Sequence, residues 1–132
     1  MNIPYVYDAG VLIAIDSNDR RMWALHHLAL EDGRRVIVPA IVVGQAWRDG
    51  RRQVMLGRFL RTCEIEPTLL ESAKAAGVLC GKAAASDVVD AAVVVTALTH
   101  GAIVFTSDKG DIAELAAASG ARPVPVIRTV CP

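Results

Sequence analysis

The sequence predicts an α/β domain with three layers, in which a central, mostly parallel sheet lies between two layers of helices. Short β-prone runs alternate along the chain with longer helical segments, which is the order expected for parallel strands joined by crossover helices. The run at residues 36–38 is continuously apolar, as is typical of a strand buried on both faces. With 132 residues, 53% of them hydrophobic, the chain is long enough to bury a core, so we expect one domain over residues 1–132.

The first half of the chain divides into strands and helices at its turn residues. Strands are predicted at residues 3–7, 36–38 and 63–65, and helices at 11–15, 21–30, 40–47 and 53–61. Asp19 or Asn18 can cap the second helix, and Gly33 suits the left-handed position after it. Pro39 is placed to begin the third helix.

The second half continues the same alternation. Pro67 opens an alanine-rich helix that extends to about residue 79, and Ser86 is a good N-cap for the next helix, which extends to His100. A strand at 103–106, a helix at 112–119 and a last strand at 124–127 complete the prediction.

Acidic residues mark the ends of two predicted strands. Asp8 follows the first strand, and Asp108 and Asp111 follow the strand at 103–106. Ligands of open parallel sheets bind outside the carboxyl ends of the strands, so these carboxylates are well placed to meet. A carboxylate cluster there predicts a site for a divalent metal ion. Two structural roles compete with metal binding. Helix capping, or a favourable contact with a helix dipole, could explain each acid separately.

Asp87 and Asp90 share one face of a predicted helix because they are three residues apart. A first-turn position explains Asp87 by the helix dipole alone. Asp90 lies in a helix that is apolar nearly all round, without a Lys or Arg of its own. A buried carboxylate is unfavourable unless it is paired or binds metal, so Asp90 is the acid least easily explained by structure.

Composition limits the other possibilities. The formal net charge is zero, which gives no whole-molecule argument for nucleic acid, although arginines crowd residues 48–61. The apolar stretches are too short or too interrupted for a membrane span, and the N-terminus does not resemble a secretory signal, so we expect a cytoplasmic protein. Cys63, Cys80 and Cys131 are expected to be reduced, mostly buried thiols. We leave His26, His27 and His100 out of the site.

Four segments carry a resemblance to a known family. They are residues 7–13 (YDAGVLI), 38–43 (VPAIVV), 87–97 (DVVDAAVVVTA) and 106–111 (TSDKGD). In order and spacing they resemble PIN-domain proteins, and the short single-domain form resembles VapC-type toxins of bacterial toxin–antitoxin pairs. The resemblance covers essentially the whole chain.

The resemblance implies an α/β/α nuclease fold with an acidic site that binds Mg²⁺ or Mn²⁺. It further implies an endoribonuclease toxin that cleaves single-stranded regions of structured RNA (tRNA or rRNA), is neutralised by a VapB-type antitoxin and forms a homodimer. By position, Asp8, Asp90 and Asp108 match family acids, with Asp111 as a neighbouring metal-ligand candidate. Thr106 matches a hydroxyl residue before the last acid, and Thr106 and Ser107 are candidates to bond a substrate phosphate.

The sequence departs from the family at Gln45, where a Glu is usual. Glutamine can coordinate a cation or bond a water but brings no charge, so its presence predicts weaker Mg²⁺ binding. Asp87 is a candidate to supply the missing charge. The alternative function is a degenerate PIN domain, with weak or no nuclease activity, that acts by binding RNA or an antitoxin. A phosphoryl-accepting signalling domain with Asp8 as acceptor is a third, less favoured hypothesis.

Two surfaces are predicted around this site. Arg48, Arg51 and Arg52 follow the helix that holds Gln45 and are candidates to bind flanking phosphates. A solvated face with salt bridges is the competing interpretation. An antitoxin helix is expected to occupy an apolar groove made by four residues, which are Val43, Trp47, Leu56 and Phe59. Trp47 and Phe59 could equally belong to the core.

Overall fold

A computed structural model describes residues 2–130, and strands and helices alternate along it as predicted. The strands of this part of the chain are β1 (Tyr5–Tyr7), β2 (Val36–Pro39), β3 (Glu64–Glu66), β4 (Ile103–Thr106) and β5 (Ile127–Thr129). Its helices are α1 (Ala9–Asp16), α2 (Arg20–Glu31), α3 (Ala40–Ala46), α4 (Val54–Arg61), α5 (Leu70–Ala83), α6 (Val88–His100) and α7 (Lys109–Ala118).

The strands form a single sheet in the order β3-β2-β1-β4-β5, and every neighbouring pair is parallel. The order reverses at β1, from which the chain builds outward first through β2 and β3 and later through β4 and β5. Tyr7 lies opposite Phe105 in the register of β1 and β4. The residues just beyond this pair therefore meet at the point of reversal, where open α/β sheets bind ligands.

Helices cover both faces of the sheet. On one side α1 contacts α2 and α4, and on the other α5, α6 and α7 contact one another. Helix α3 packs against both α1 and α6, so it links the two layers near the carboxyl end of β2. This arrangement confirms the predicted three-layer α/β/α fold, and no described helix, over residues 2–130, is long and apolar enough to cross a membrane.

The core lies between these layers and includes a small polar network. Val6, Val38 and Val104 of the three central strands are completely buried. Tyr7 and His26 are buried beside them, with Tyr7 Oη 3.1 Å from His26 Nδ1 and His26 Nε2 2.8 Å from Thr62 Oγ1. Since Thr62 Oγ1 donates to the Phe59 carbonyl at 2.6 Å, it accepts from Nε2–H, and His26 Nδ1 accepts from Tyr7. Burial lowers the pKa of His26 to about 4, which keeps the ring neutral.

Several predicted boundaries are wrong, and two of them have a clear local cause. Helix α6 is capped by Asp87, whose Oδ1 accepts from the backbone N–H groups of Val89 and Asp90, so Ser86 is left outside. The last strand is Ile127–Thr129 and not 124–127, because Pro123 and Pro125 have no N–H for the ladder. The other differences are small. Strand β1 begins at Tyr5, α5 begins at Leu70, and α7 begins at Lys109.

The cysteines of the described residues are free and half-buried at positions 63 and 80. Burial raises the pKa of the Cys63 thiol to about 12, which keeps it protonated and unreactive. Cys131 lies outside the described residues.

Candidate functional site

Asp8 is held in one orientation at the carboxyl end of β1. It is the N-cap of α1, where Oδ1 accepts from the Val11 N–H at 3.1 Å, and only 5% of the residue is exposed. Thr106, the last residue of the neighbouring strand β4, donates its hydroxyl hydrogen to Asp8 Oδ2. Burial raises the pKa of Asp8, while these hydrogen bonds favour its ionised form and oppose the rise. The carboxylate is therefore a fixed, desolvated oxygen donor.

Asp108 follows β4, and it shares a hydrogen-bonding partner, Thr106, with Asp8. Its N–H donates to Thr106 Oγ1 at 2.9 Å, so the one hydroxyl joins the two strand ends. Asp108 occupies the N-cap position of α7, but its side chain makes no capping hydrogen bond. Capping therefore does not account for this exposed carboxylate, which is left available to a ligand.

Asp90 lies in the first turn of α6, half-buried and surrounded by other acids. Its pKa is raised to about 7, first by burial and then by the negative charges of Asp87, Asp8 and Asp111. A side-chain hydrogen bond with Asp87 raises it further. Each neighbour that contributes to this shift is another carboxyl group. The packing of α6 thus brings Asp90 close enough to Asp8 and Asp111 for their charges to act on it.

Asp111 extends this cluster onto α7. It is exposed in the first turn, and its pKa is raised mainly by repulsion from Asp108 and less by Asp87. The sequence-predicted acids Asp8, Asp87, Asp90, Asp108 and Asp111 therefore interact electrostatically with one another. We call these five residues the acid cluster.

The acid cluster has the donor chemistry that suits a hard divalent cation, because its ligands are carboxylate oxygens with unbalanced negative charge. Within residues 2–130, however, no three His, Cys, Asp or Glu side chains converge closely enough to hold one ion as they stand. The carboxylates are nevertheless near enough to repel one another. They fit a cation by chemistry and charge, although they do not form a ready-made ligand set in the described structure.

Gly10 and Ser107 pack tightly beside Asp8, a contact that sequence reasoning missed. A Cβ built on Gly10 would lie 1.8 Å from Ser107 Oγ and 2.7 Å from its Cβ. Only glycine fits at this position of α1, so the loop after β4 can approach the start of α1. Ser107 is exposed, whereas Thr106 is fully buried, which leaves Ser107 as the hydroxyl accessible to a substrate.

Gln45 is exposed on α3, the helix that packs against both α1 and α6. The arginines beyond it are exposed too, although two have protein partners. Arg48 Nη1 donates to the carbonyls of Gly44 and Trp47, at 3.1 and 2.8 Å, and Arg51 lies 3.4 Å from Asp49 Oδ1. Arg48 therefore has a structural role at the end of α3, and Arg51 has one in a surface ion pair. Arg52 is exposed beside them.

Gln53 organises this arginine segment and was not found by sequence reasoning. It is 7% exposed, and Oε1 accepts from the N–H groups of Arg48 and Asp49 at 2.6 and 3.0 Å. Nε2 donates to the Ala46 carbonyl at 2.8 Å and to Asp16 Oδ2 at 3.1 Å. All four hydrogen-bonding positions of the amide are used. The only sequence signal is a glutamine at the start of α4, where a short capping residue is more usual.

The predicted antitoxin groove is wrong in two of its residues. Leu56 and Phe59 are buried in the core, at 0% and 1% exposure. Val43 is half-buried and Trp47 is exposed, so the four side chains do not share a surface. The amphipathic helix α4 turns its large apolar residues inward, which is the alternative that the sequence left open for Phe59.

The fold is found again in solved structures of toxin–antitoxin complexes. Similar chains occur in VapBC2 from Rickettsia felis bound to a DNA fragment from its promoter (TM-score 0.71, 14% identity, 97% of this chain and 99% of that chain). They also occur in DNA-bound VapBC from Salmonella typhimurium (TM-score 0.69, 14% identity, 98% and 100%). A third is in a toxin–antitoxin complex from Klebsiella pneumoniae (TM-score 0.67, 19% identity, 95% and 96%).

These similarities confirm the expected resemblance at the level of the fold, which is the three-layer PIN-like fold of VapBC complexes. Comparison with protein-family models and with curated proteins gives no match. The sequence thus differs widely from those of the solved structures, although the fold is shared over nearly the whole chain.

Proposed function

We propose that this chain is a metal-dependent endoribonuclease toxin that cleaves single-stranded regions of structured RNA, such as tRNA or rRNA. The observation that carries the proposal is the acid cluster at the point where the strand order reverses. Burial and mutual repulsion raise the pKa of Asp90 to about 7, a state that a bound cation would relieve. Such strongly perturbed groups concentrate at functional sites.

Asp8, Asp90 and Asp108 would hold Mg²⁺ or Mn²⁺, with Asp111 and Asp87 as further candidates. When bound, the cation would polarise a phosphodiester, lower the pKa of an attacking water and stabilise the leaving oxygen. The protein's own part is positional. Thr106 fixes Asp8 relative to Asp108, and its buried hydroxyl makes it a positioning residue instead of the substrate contact first expected.

The substrate backbone would be held by groups around this centre. Ser107 is an exposed hydroxyl between Thr106 and Asp108, and Arg48, Arg51 and Arg52 supply positive charge along the segment beyond α3. Because each phosphate contact by Lys or Arg releases counterions, RNA affinity should fall steeply as salt is raised. An affinity that stays flat between about 50 and 200 mM salt would remove the arginines from this role.

A VapB-type antitoxin is the proposed partner, and the groove between α2 and α4 is the surface that supports its binding. This cavity of about 580 Å³ is lined by the partly exposed apolar side chains of Trp23, Leu30 and Met55. Arg20 and Arg58 also line it. An amphipathic antitoxin helix with an apolar face and acidic neighbours would match these features. Met55→Glu should weaken antitoxin binding without changing RNA cleavage.

We further propose a cytoplasmic homodimer. Leu69 and Leu70 at the start of α5 are 66% and 68% exposed, an unusual arrangement for adjacent leucines in a monomer. Light scattering of the parent and of a Leu69→Ser, Leu70→Ser variant tests this, and a parent that is monomeric at tens of micromolar would contradict it.

Cleavage of a labelled set of single-stranded RNAs by antitoxin-free protein tests the proposal directly. Reactions contain Mg²⁺, Mn²⁺ or a chelator, and Asp90→Asn protein prepared identically is the control. Cutting that needs the metal and is lost in the variant supports the nuclease, whereas equal cutting by both proteins points to a contaminant.

The second candidate function is a degenerate PIN domain that binds RNA or antitoxin without cutting. The neutral, exposed Gln45 at the usual acidic position favours it. Cleavage by Gln45→Glu protein, with none by the parent under any metal, would identify a site disabled at this residue.

A further inference from the structure

Trp47 is an exposed aromatic residue held in a fixed position next to the arginine segment. It ends α3, where its N–H donates to the Val43 carbonyl at 2.8 Å, and 37% of the residue is exposed. The indole lies against two glycines. A Cβ built on Gly50 would be 2.9 Å from Trp47 Cζ2, and one built on Gly57 would be 3.6 Å from Cη2. The ring therefore packs on backbone on one side while part of its surface stays open.

The segment that carries Trp47 is rigid for a surface loop. Gln53 ties the backbone of Arg48 and Asp49 to the Ala46 carbonyl and to Asp16 at the end of α1. Arg48 Nη1 bonds the Trp47 carbonyl as well. The indole is thus held before any ligand arrives, and little conformational entropy is lost when a planar group stacks on it.

The length of α1 gives the approximate separation between the Trp47 segment and Asp8, because Gln53 ties the segment to the last residue of that helix. Asp16, to which the segment is tied, ends the eight-residue helix α1 that begins just after Asp8. Such a helix is about 12 Å long. At roughly 3.4 Å per stacked nucleotide, this length corresponds to three or four nucleotides of a single strand. Arg51 and Arg52 lie between Trp47 and Gln53 in the sequence, so positive charge accompanies the aromatic surface.

We propose that Trp47 is a nucleobase-stacking site for single-stranded RNA, which holds a base a few nucleotides from the scissile phosphate while the neighbouring arginines neutralise the backbone. An aromatic platform beside positive charge is the combination by which proteins bind single strands without strict sequence preference. The inference rests on the proposed function for its substrate class. It adds a binding group that acts on bases, whereas the acid cluster and the arginines act on phosphate.

Tryptophan fluorescence tests this directly, because Trp23 and Trp47 are the two tryptophans of the chain. Trp23→Phe leaves Trp47 as the reporter in an otherwise unaltered segment. The protein is titrated with a ten-nucleotide single-stranded RNA of mixed sequence, with Ca²⁺ in place of Mg²⁺ to limit turnover, and in parallel with inorganic polyphosphate of matched charge. Stacking predicts quenching by RNA and none by polyphosphate. Equal effects of the two, or no quenching by RNA that binds, would overturn the proposal.

Substitution of Trp47 separates stacking from charge. Trp47→Leu should weaken RNA binding by about tenfold, the effect of losing one stacked base, while the slope of affinity against salt stays unchanged. Trp47→Phe should retain most of the affinity, and Arg52→Ala should lower the salt slope by about one. The proposal would be overturned if the RNA affinity of Trp47→Leu were within about twofold of the parent's. It would also be overturned if Trp47→Phe lost as much affinity as Trp47→Leu, about tenfold.

Failure of the nuclease assignment is distinguishable from failure of this inference. RNA quenching without metal-dependent cutting leaves the stacking site in place and removes the nuclease. Cutting without quenching removes the stacking site and leaves the nuclease.

Discussion

At the scale of single residues, Asp90 is a member of the acid cluster whose ionised form lowers the stability of the fold. Half-buried among other acids, it has no neighbour among its described electrostatic partners that would stabilise its charge. The sequence predicted this conflict from an acid within a run of valines and alanines. What it could not predict was that the acids of α6 and α7 would repel one another across the site, because that depends on how the helices pack.

The first prediction concerns the pH dependence of stability without metal. The pKa of Asp90 is raised from 3.8 to about 7 in the folded protein, so its stabilising contribution is complete below pH 4 and is lost as pH rises to about 7. Asp90→Asn removes the ionisation, and the variant should therefore be more stable than the parent at pH 8 by roughly 1–2 kcal/mol, after allowance for solvent screening.

Thermal unfolding in chelator at pH 4 and at pH 8 measures this difference. Asp32→Asn, at the exposed end of α2 and outside the acid cluster, is the matched control for the loss of one carboxylate. An advantage of Asp90→Asn that is the same at both pH values would show that the repulsion inferred here is absent.

The second prediction concerns the close contact of Gly10 with Ser107. Gly10→Ala places a Cβ 1.8 Å from Ser107 Oγ, so the loop after β4 must move, at a cost of ~1–3 kcal/mol. Gly10→Ala with Ser107→Gly should recover most of the lost stability. Gly77→Ala in α5 is the control, because its Cβ would meet no atom within 4 Å, and it should stabilise the helix by ~0.5–1 kcal/mol. Denaturant unfolding that ranks Gly10→Ala with Gly77→Ala would refute the contact.

At the scale of elements, the sequence was most informative where hydrophobic pattern and position agree. Strands β1, β2 and β4 are central and buried, and their apolar runs predicted them closely. Edge strand β5 was misplaced, because the apolar residues before it include prolines, which satisfy the hydrophobic pattern but cannot donate to a ladder. The predicted antitoxin groove was wrong because the sequence pattern of α4 shows only that one face of the helix is apolar. The pattern does not show whether that face packs into the core or lies on the surface.

The third prediction concerns the joint between α1, α3 and α4 at Gln53. Gln53→Glu removes the donors to Asp16 and to the Ala46 carbonyl and places a carboxylate beside Asp16, which should destabilise the protein by ~1–3 kcal/mol. Asp16→Asn alone should have little effect, because an amide oxygen can still accept from Gln53. In the double variant, the amide introduced at position 16 can donate to the new carboxylate, so part of the lost stability should return.

A double-mutant cycle measured by urea unfolding at pH 8 tests this exchange. Recovery of about 1 kcal/mol in Asp16→Asn with Gln53→Glu is the expected coupling. Effects that add to within ~0.5 kcal/mol would show that the two side chains do not interact.

At the scale of the whole molecule, a net charge of zero conceals an uneven distribution. Acidic groups concentrate where the strand order reverses, and arginines concentrate in the segment beyond α3. A cation in the acid cluster would remove most of the repulsion and let an RNA backbone approach, so metal binding and substrate binding should be coupled. The strength of that coupling depends on how much negative charge the site carries, and Gln45 is the proposed site residue that brings no charge.

The last prediction follows from that charge. Gln45→Glu adds a carboxylate to the helix that packs against both α1 and α6 and should tighten Mg²⁺ binding by about tenfold or more, since one further charge contributes ~1–4 kcal/mol at contact distance. A ligand that binds only the folded state raises the unfolding temperature, so the thermal shift caused by Mg²⁺ should be larger in Gln45→Glu than in the parent. Without metal the order reverses, because the added charge increases repulsion and Gln45→Glu should unfold at a lower temperature. Ala75→Glu adds the same charge at an exposed position of α5 and is the control. If Mg²⁺ shifts the parent and Gln45→Glu equally, then Gln45 lies outside the metal site, and a weak or absent nuclease activity would need another cause.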